Sequence, residues 1–240
     1  MRKRQRLSLE ELAAYQWEMP RVRSQRTEDG GQRTEETPTT RINWQQLFGN
    51  ENTVEVEVGM GKGLFLLNTS ESRPDTNFFG IEISRKYQLY ATTRFALRKL
   101  PNVKTVCADA KWVFRNFVPA GSVAAVHVYF PDPWWKARHK KRRVFSPEFA
   151  ADAARVLKRG GKLLIATDVE EYFGVMTGIV RAMPAFRELS HDTSTATVEE
   201  AGYQTNFERK ARLKGTPVWR AEFERTDGAI TIPADPAGEA

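Results

Sequence analysis

Five carboxylates occupy comparable places in this 240-residue chain, each at or just beyond the end of a short apolar run. They are Glu57 in TVEVEVG, Glu82 in NFFGIEI, Asp109 in VKTVCAD, Asp132 in VAAVHVYFPD and Asp168 in KLLIATD. Runs of this length, rich in Val, Ile and Phe, read as buried strands, and the carboxyl ends of parallel strands share the edge where such sheets bind ligands. A single acid there is often only a helix cap. Five along one edge make a rim suited to cationic or hydroxyl-rich ligands. EVGMGKG adds Gly59, Gly61 and Gly63 after the first run, where bare backbone can approach a ligand. FPDPWWKARHKKRR follows the fourth run at 130–143, placing Asp132 between two prolines, then two tryptophans, then six basic side chains within eight residues. The prolines restrict the backbone around the acid, and the basic run can neutralise phosphates with release of counterions.

The elements that must position these groups alternate from residue 53 onward. Strand patterns at TVEVEVG, NFFGIEI, VKTVCA, VAAVHVYF and KLLIATD are separated by helical ones. The helical stretches are GLFLLNTSES, SRKYQLYATTRFALRKL after a Ser84 N-cap, KWVFRNF, SPEFAADAARVLKRGG and EEYFGVMTGIVRAM. Ser146 with Pro147 starts the fourth of these and Gly160-Gly161 stops it. PVWRAEFER supplies a last strand. Strand–helix alternation predicts an open, mainly parallel sheet covered on both faces. Before it, LSLEELAAYQWEM has the spacing of a short amphipathic helix, and residues 20–41 are polar, charged and too poor in large apolar groups to order alone.

The charge balance, 37 basic against 30 acidic residues for a net +7, points to a polyanionic partner through its distribution more than its sum. Basic clusters stand at 1–6, 136–143 and 208–214. One cysteine, Cys107, excludes an intramolecular disulfide and a cysteine-built zinc site. The three histidines, 127, 139 and 191, lack metal-ligand spacing, so no metal is expected. The basic start is followed by no apolar segment of the signal-peptide kind, and no run nears the roughly 18 apolar residues of a membrane helix. A cytoplasmic protein without membrane partners is expected.

A dinucleotide fingerprint would place its third glycine at 64, where this chain has Leu64, so a nicotinamide-dependent dehydrogenase is a weak reading. The GxGxG spacing instead resembles the first motif of Rossmann-like S-adenosylmethionine methyltransferases. FPDPWWKARHKKRR then matches, without a gap, the PDPW-x-K-x-RH-x-KRR signature of the bacterial tRNA (guanine-N7-)-methyltransferases. ATD at 166–168, TNFERK at 205–210 and GTPVWRAEFER after it resemble the same family, over residues 50–226 in all.

That resemblance implies methyl transfer from S-adenosylmethionine to N7 of guanosine 46 in the variable loop of tRNA. It implies Asp132 as the catalytic residue and Glu57, Gly59, Gly61, Gly63, Glu82, Asp109 and Asp132 around the cofactor. Lys136, Asp168, Thr205, Asn206, Phe207 and Glu208 would hold the RNA substrate, with Arg138, Arg142 and Arg143 on its phosphates. Trp134 and Trp135 are read either as stacking platforms for a splayed base or as packing of the loop. His139 is read as a hydrogen-bonding loop residue. The expected architecture is a Rossmann-like methyltransferase fold: a mostly parallel seven-stranded sheet, helices on both faces, and an antiparallel strand near the C-terminus. Its expected divisions are a helical and flexible basic segment over 1–50, the methyltransferase domain over 51–230 and a loose tail over 231–240, in a monomer or homodimer. Two rivals remain at this point. Enzymes acting on exocyclic amines carry two prolines after the acid, whereas here prolines bracket it. A catalytically dead RNA-binding module would not need the full set of acids.

Overall fold

A computed structural model describes residues 7–20, 24–25, 34–35, 40–134, 143–194, 205, 213 and 215–234. In chain order the elements are α1 (Leu9–Ala13), β1 (Ser24–Gln25), β2 (Thr34–Glu35), α2 (Trp44–Phe48), β3 (Thr53–Val58), α3 (Leu64–Ser72), β4 (Thr76–Glu82) and α4 (Arg85–Leu97). They continue with β5 (Val103–Cys107), α5 (Ala110–Asn116), β6 (Val123–Tyr129), α6 (Pro147–Val156), β7 (Leu157–Thr167), α7 (Glu170–Arg181), β8 (Phe186–Ser194) and β9 (Val218–Arg225).

The main sheet has seven strands in the order β5-β4-β3-β6-β7-β9-β8, and β9 runs antiparallel to both its neighbours. This is the expected architecture. Connections from β3 lead outward through β4 to β5, and the chain then returns to β6 on the other side of β3. The switch point therefore lies between β3 and β6, where α/β sheets open a crevice for ligands.

Strand periodicity divides the core in two. Val54, Val56 and Val58 of β3, Phe79 and Ile81 of β4, and Val126 and Val128 of β6 pack with Phe114, Phe149, Tyr172 and Met176 beneath α5, α6 and α7. On the opposite face, Phe78 packs with Phe65, Leu66 and Leu67 of α3 and Ala91 and Phe95 of α4. The alternate residues Glu55, Glu57, His127 and Tyr129 share that second face. It is polar where the first is dry.

Two local expectations are corrected, and one strand was not foreseen. The helix read over the LSLEELAAYQWEM stretch closes after Ala13, although Ser8 and Glu11 form the capping box that starts it. The chain then turns extended: Trp17 N–H donates to Thr105 O at 2.8 Å, and Thr105 N–H donates to Tyr15 O at 2.9 Å. Edge strand β5 offers unpaired backbone groups there, and the Trp17 ring seats edge-on against Phe79 and Phe117. α6 stops at Val156 rather than at the glycines, because buried Leu157 already pairs with Val123 as β7 begins. β8 had no strand pattern of its own in the sequence. It is an edge strand whose polar residues alternate weakly.

Residues 40–48 also join the body of the fold: Ile42 N–H donates to Phe117 O at 2.8 Å, and Trp44 Nε1 donates to Ser122 Oγ at 3.0 Å. Most of 20–41, read as unable to order alone, lies outside the described residues; within it β1 pairs with β2.

Candidate active site

The glycine loop is shaped by Gly63. Its φ of +65° is a left-handed conformation, and a Cβ there would meet the Phe95 ring at 2.6 Å and Ala91 Cβ at 2.8 Å. Only glycine lets α3 start this close to α4. Further up the loop, Gly61 N–H donates to Glu82 Oε2 at 2.9 Å, while Ser84 N–H donates to Glu82 Oε1 at 2.8 Å. The Glu82 carboxylate is thereby fixed across the tips of β3 and β4. Ser84 is the N-cap of α4 as expected, but its side chain makes no capping bond.

Glu57 lies beneath this loop, 4% exposed, and its Oε2 has no hydrogen-bond partner. Burial first, and the nearby Glu82 charge second, push its pKa up to about 8. Asp109 caps α5, its Oδ1 accepting from Lys111 N–H at 2.8 Å. Asp168 is exposed at the end of β7.

Asp132 is exposed in the irregular stretch after β6, two residues beyond a bend at Phe130. Phe130 and Trp134, on either side, hold φ values of +51° and +41°. Bulky residues in the left-handed region cost roughly 1–2 kcal/mol each, so the surroundings must hold them there. Phe130 N–H donates to Ala166 O at 2.7 Å, and its ring is buried against Ala166 and Val218. At the other side, Arg143 Nε donates to Pro133 O at 2.6 Å, and its guanidinium lies 5.3 Å over the Tyr172 ring. Lys111 Nζ donates in turn to Arg143 O at 3.0 Å. Arg143 is only 7% exposed. The structure sets Arg143, expected on a phosphate, against the Pro133 carbonyl and the Tyr172 ring.

Thr205 is buried. Trp135, Lys136, Arg138, His139, Arg142, Asn206, Phe207 and Glu208 lie outside the described residues.

Sequence reasoning missed a polar chain that runs from the surface at Arg73 into the buried Glu55 and His127. Arg73 donates to both oxygens of Glu55, Glu55 Oε2 lies 3.0 Å from His127 Nε2, and His127 Nδ1 lies 2.9 Å from Tyr129 Oη. The signal was present in strand parity: Glu55 and His127 are polar interruptions on the same sheet face as Glu57.

Residues 51–221 match a family described as "Putative methyltransferase". The chain is 41% identical over 197 residues to the tRNA (guanine-N(7)-)-methyltransferase of Rhodopirellula baltica, across 80% of this chain and 72% of that one. It is 34% identical over 184 residues to the enzyme of the same name from Aliivibrio salmonicida, covering 77% of each. The chain belongs to the tRNA (guanine-N7-)-methyltransferase family. The fold of this methyltransferase is shared more widely. The 16S rRNA methyltransferase KamB superposes with a TM-score of 0.57 at 16% identity, over 76% of this chain and 92% of that one. Among the described residues of the methyltransferase, no helix is long and apolar enough to cross a membrane.

Proposed function

We propose that this methyltransferase transfers the methyl group of S-adenosylmethionine to N7 of guanosine 46 in the variable loop of cytoplasmic tRNA. The observation that carries this reading is that neighbouring strands β3 and β6 carry, toward their carboxyl ends, a buried carboxyl whose Oε2 has no hydrogen-bond partner and an exposed acid between two residues held at positive φ. An unpartnered Glu57 Oε2 suits the cofactor's ammonium group, whose proton donors and charge would satisfy it. Glu82, immobilised by Gly61 and Ser84, accepts from the ribose hydroxyls. Asp109, one strand further out, accepts from the exocyclic amine of adenine.

The bound cofactor supplies an electrophilic methyl on a cationic sulfur. N7 of guanine already owns an in-plane lone pair, so this chain has no proton to remove before transfer. Its task is orientation. Asp132 grips the amino edge of guanine and offsets the positive charge that develops on the ring. Lys136, Asp168 and the 205–208 segment hold the RNA, Arg138 and Arg142 take phosphates, and Arg143 keeps the Asp132 turn in place.

The test is transfer of labelled methyl to two tRNA transcripts, one with guanosine at 46 and one with adenosine. Label on the first only, recovered at N7 after nucleoside digestion, is expected. Label on both transcripts would remove position 46, and label recovered on an exocyclic amine would replace the reaction.

A further inference from the structure

We propose that Lys111 is a positioning residue for methyl transfer, holding Asp132 in place through Arg143 and Pro133 from the helix that Asp109 caps. This rests on the reading above that Asp132 orients the guanine.

Three hydrogen bonds make the path. Asp109 Oδ1 accepts from Lys111 N–H at 2.8 Å, which fixes the first turn of α5 and the point where the Lys111 side chain leaves it. Lys111 Nζ then donates to Arg143 O at 3.0 Å, a backbone oxygen 32 residues away in sequence. Arg143 Nε donates in turn to Pro133 O at 2.6 Å, on the residue next to Asp132. Strands β5 and β6, which deliver Asp109 and Asp132, are separated in the sheet by β4 and β3. The path therefore joins, through side chains, two strand ends that share no ladder. Its middle rests on the core: the Arg143 guanidinium lies 5.3 Å over the ring of fully buried Tyr172.

Helix α5 by itself does not ask for a lysine at 111. Acids suit the first turn of a helix, a basic side chain opposes the dipole there, and α5 carries no acid in that turn. The half-buried side chain is accounted for by its bond to Arg143. A carbonyl only accepts and Nζ offers only donors, so the direction of that bond is fixed. Its consequence reaches Asp132 because Arg143 can hold Pro133 only where its own backbone is held. Phe130 and Trp134 flank Asp132 at φ values of +51° and +41°, and bulky residues leave that region unless their surroundings restrain them. Lys111 supplies part of the restraint. Relaxation there would shift Asp132 against the methyl–sulfur axis, and transfer depends steeply on that alignment.

The test is single-turnover transfer of labelled methyl to tRNA by the full chain carrying Lys111→Met, which keeps the stem and removes the donors. Transfer at saturation should slow about tenfold, while affinities for S-adenosylmethionine and for tRNA each stay within about twofold. In an Asp132→Ala background the same substitution should slow transfer by less than about twofold, because the group it positions is gone. Lys111→Arg should keep about half the wild-type rate or more, since one donor to one carbonyl needs no particular fork. Equal losses with and without Asp132 would overturn the proposal, for Lys111 would then serve the fold or the cofactor and not this carboxylate. An unchanged rate in Lys111→Met would overturn it as well, as would a loss that Lys111→Arg does not restore or one matched by weaker binding of either ligand. Should Lys111→Met fail to fold, Lys111→Gln, polar but too short to reach Arg143 O, carries the same comparisons. Wild-type transfer by Asp132→Ala alone would instead remove the reading of Asp132, a failure visible without any variant of Lys111.

Discussion

Glu57 has its Oε2 buried without a donor, and its pKa stands at about 8 against an ordinary 4.5. The unfolded chain loses this proton near pH 4.5 and the folded one only near 8, so stability declines across that window and levels off above it. Thermal melts of Glu57→Gln should lack this decline. A cationic ligand favours the ionised carboxyl, so affinity for S-adenosylmethionine should rise with pH up to about 8, with proton uptake by buffer on binding. Titrations in buffers of different ionisation enthalpy would read that proton. Glu55 has the opposite sign: with a pKa of about 2, its contribution is present above pH 4.5 and fades as pH falls through 2. Asp132 is proposed to serve the reaction and not the fold. Asp132→Ala should cut single-turnover transfer about a hundredfold or more while tRNA affinity in filter binding stays within about twofold. Glu57, Glu82 and Asp132 were legible in the sequence because each closes an apolar run. The chain from Arg73 to Tyr129 was legible only in part: strand parity marks Glu55 and His127, but Arg73, at the end of α3, is distant in sequence and joins them only in the fold.

The described residues that flank the stretch between β6 and α6 are clasped together. Arg143 joins the far side to the Pro133 carbonyl, and Lys111 of α5 holds Arg143 from behind. Arg143→Ala should lower stability by about 1.5–3 kcal/mol, the usual scale for a hydrogen bond to a charged group, with turnover falling alongside. Arg143→Lys should not restore either, because a lysine cannot both stack over Tyr172 and reach Pro133 O. The slope of tRNA affinity against salt separates this residue from its neighbours. Arg142→Ala should flatten it by roughly 0.7–0.9 for a lost phosphate contact, and Arg143→Ala should leave it unchanged. Sequence could not separate these two adjacent arginines: a basic run looks uniform until the fold turns one member inward. The same limit applies to α1, where helical spacing continued past Ala13 but an open edge at β5 competed for the backbone.

Across the whole molecule, the parallel order of β3 to β7 was legible in the alternation of apolar runs with helices, whereas the seventh strand and the reversed β9 came only with the family resemblance. Edges were the illegible part. β8 lacks a clear pattern, and nothing in LSLEELAAYQWEM announces that it will lie against residues 104 and 105. Trp17 fastens that contact, and Trp17→Ala should lower stability by about 2–4 kcal/mol in urea melts, less than full burial of a large aromatic would imply. The pairing of residues 15 and 17 with Thr105 has a consequence in time as well as in space. During synthesis the early segment leaves the ribosome long before β5 exists, the side-chain bond from Lys104 to Ala14 spanning 90 positions. Its Leu12 and Trp17 must therefore wait, exposed, until the strands that receive them have been made and ordered. A segment made well before its partners is among the last to find its place.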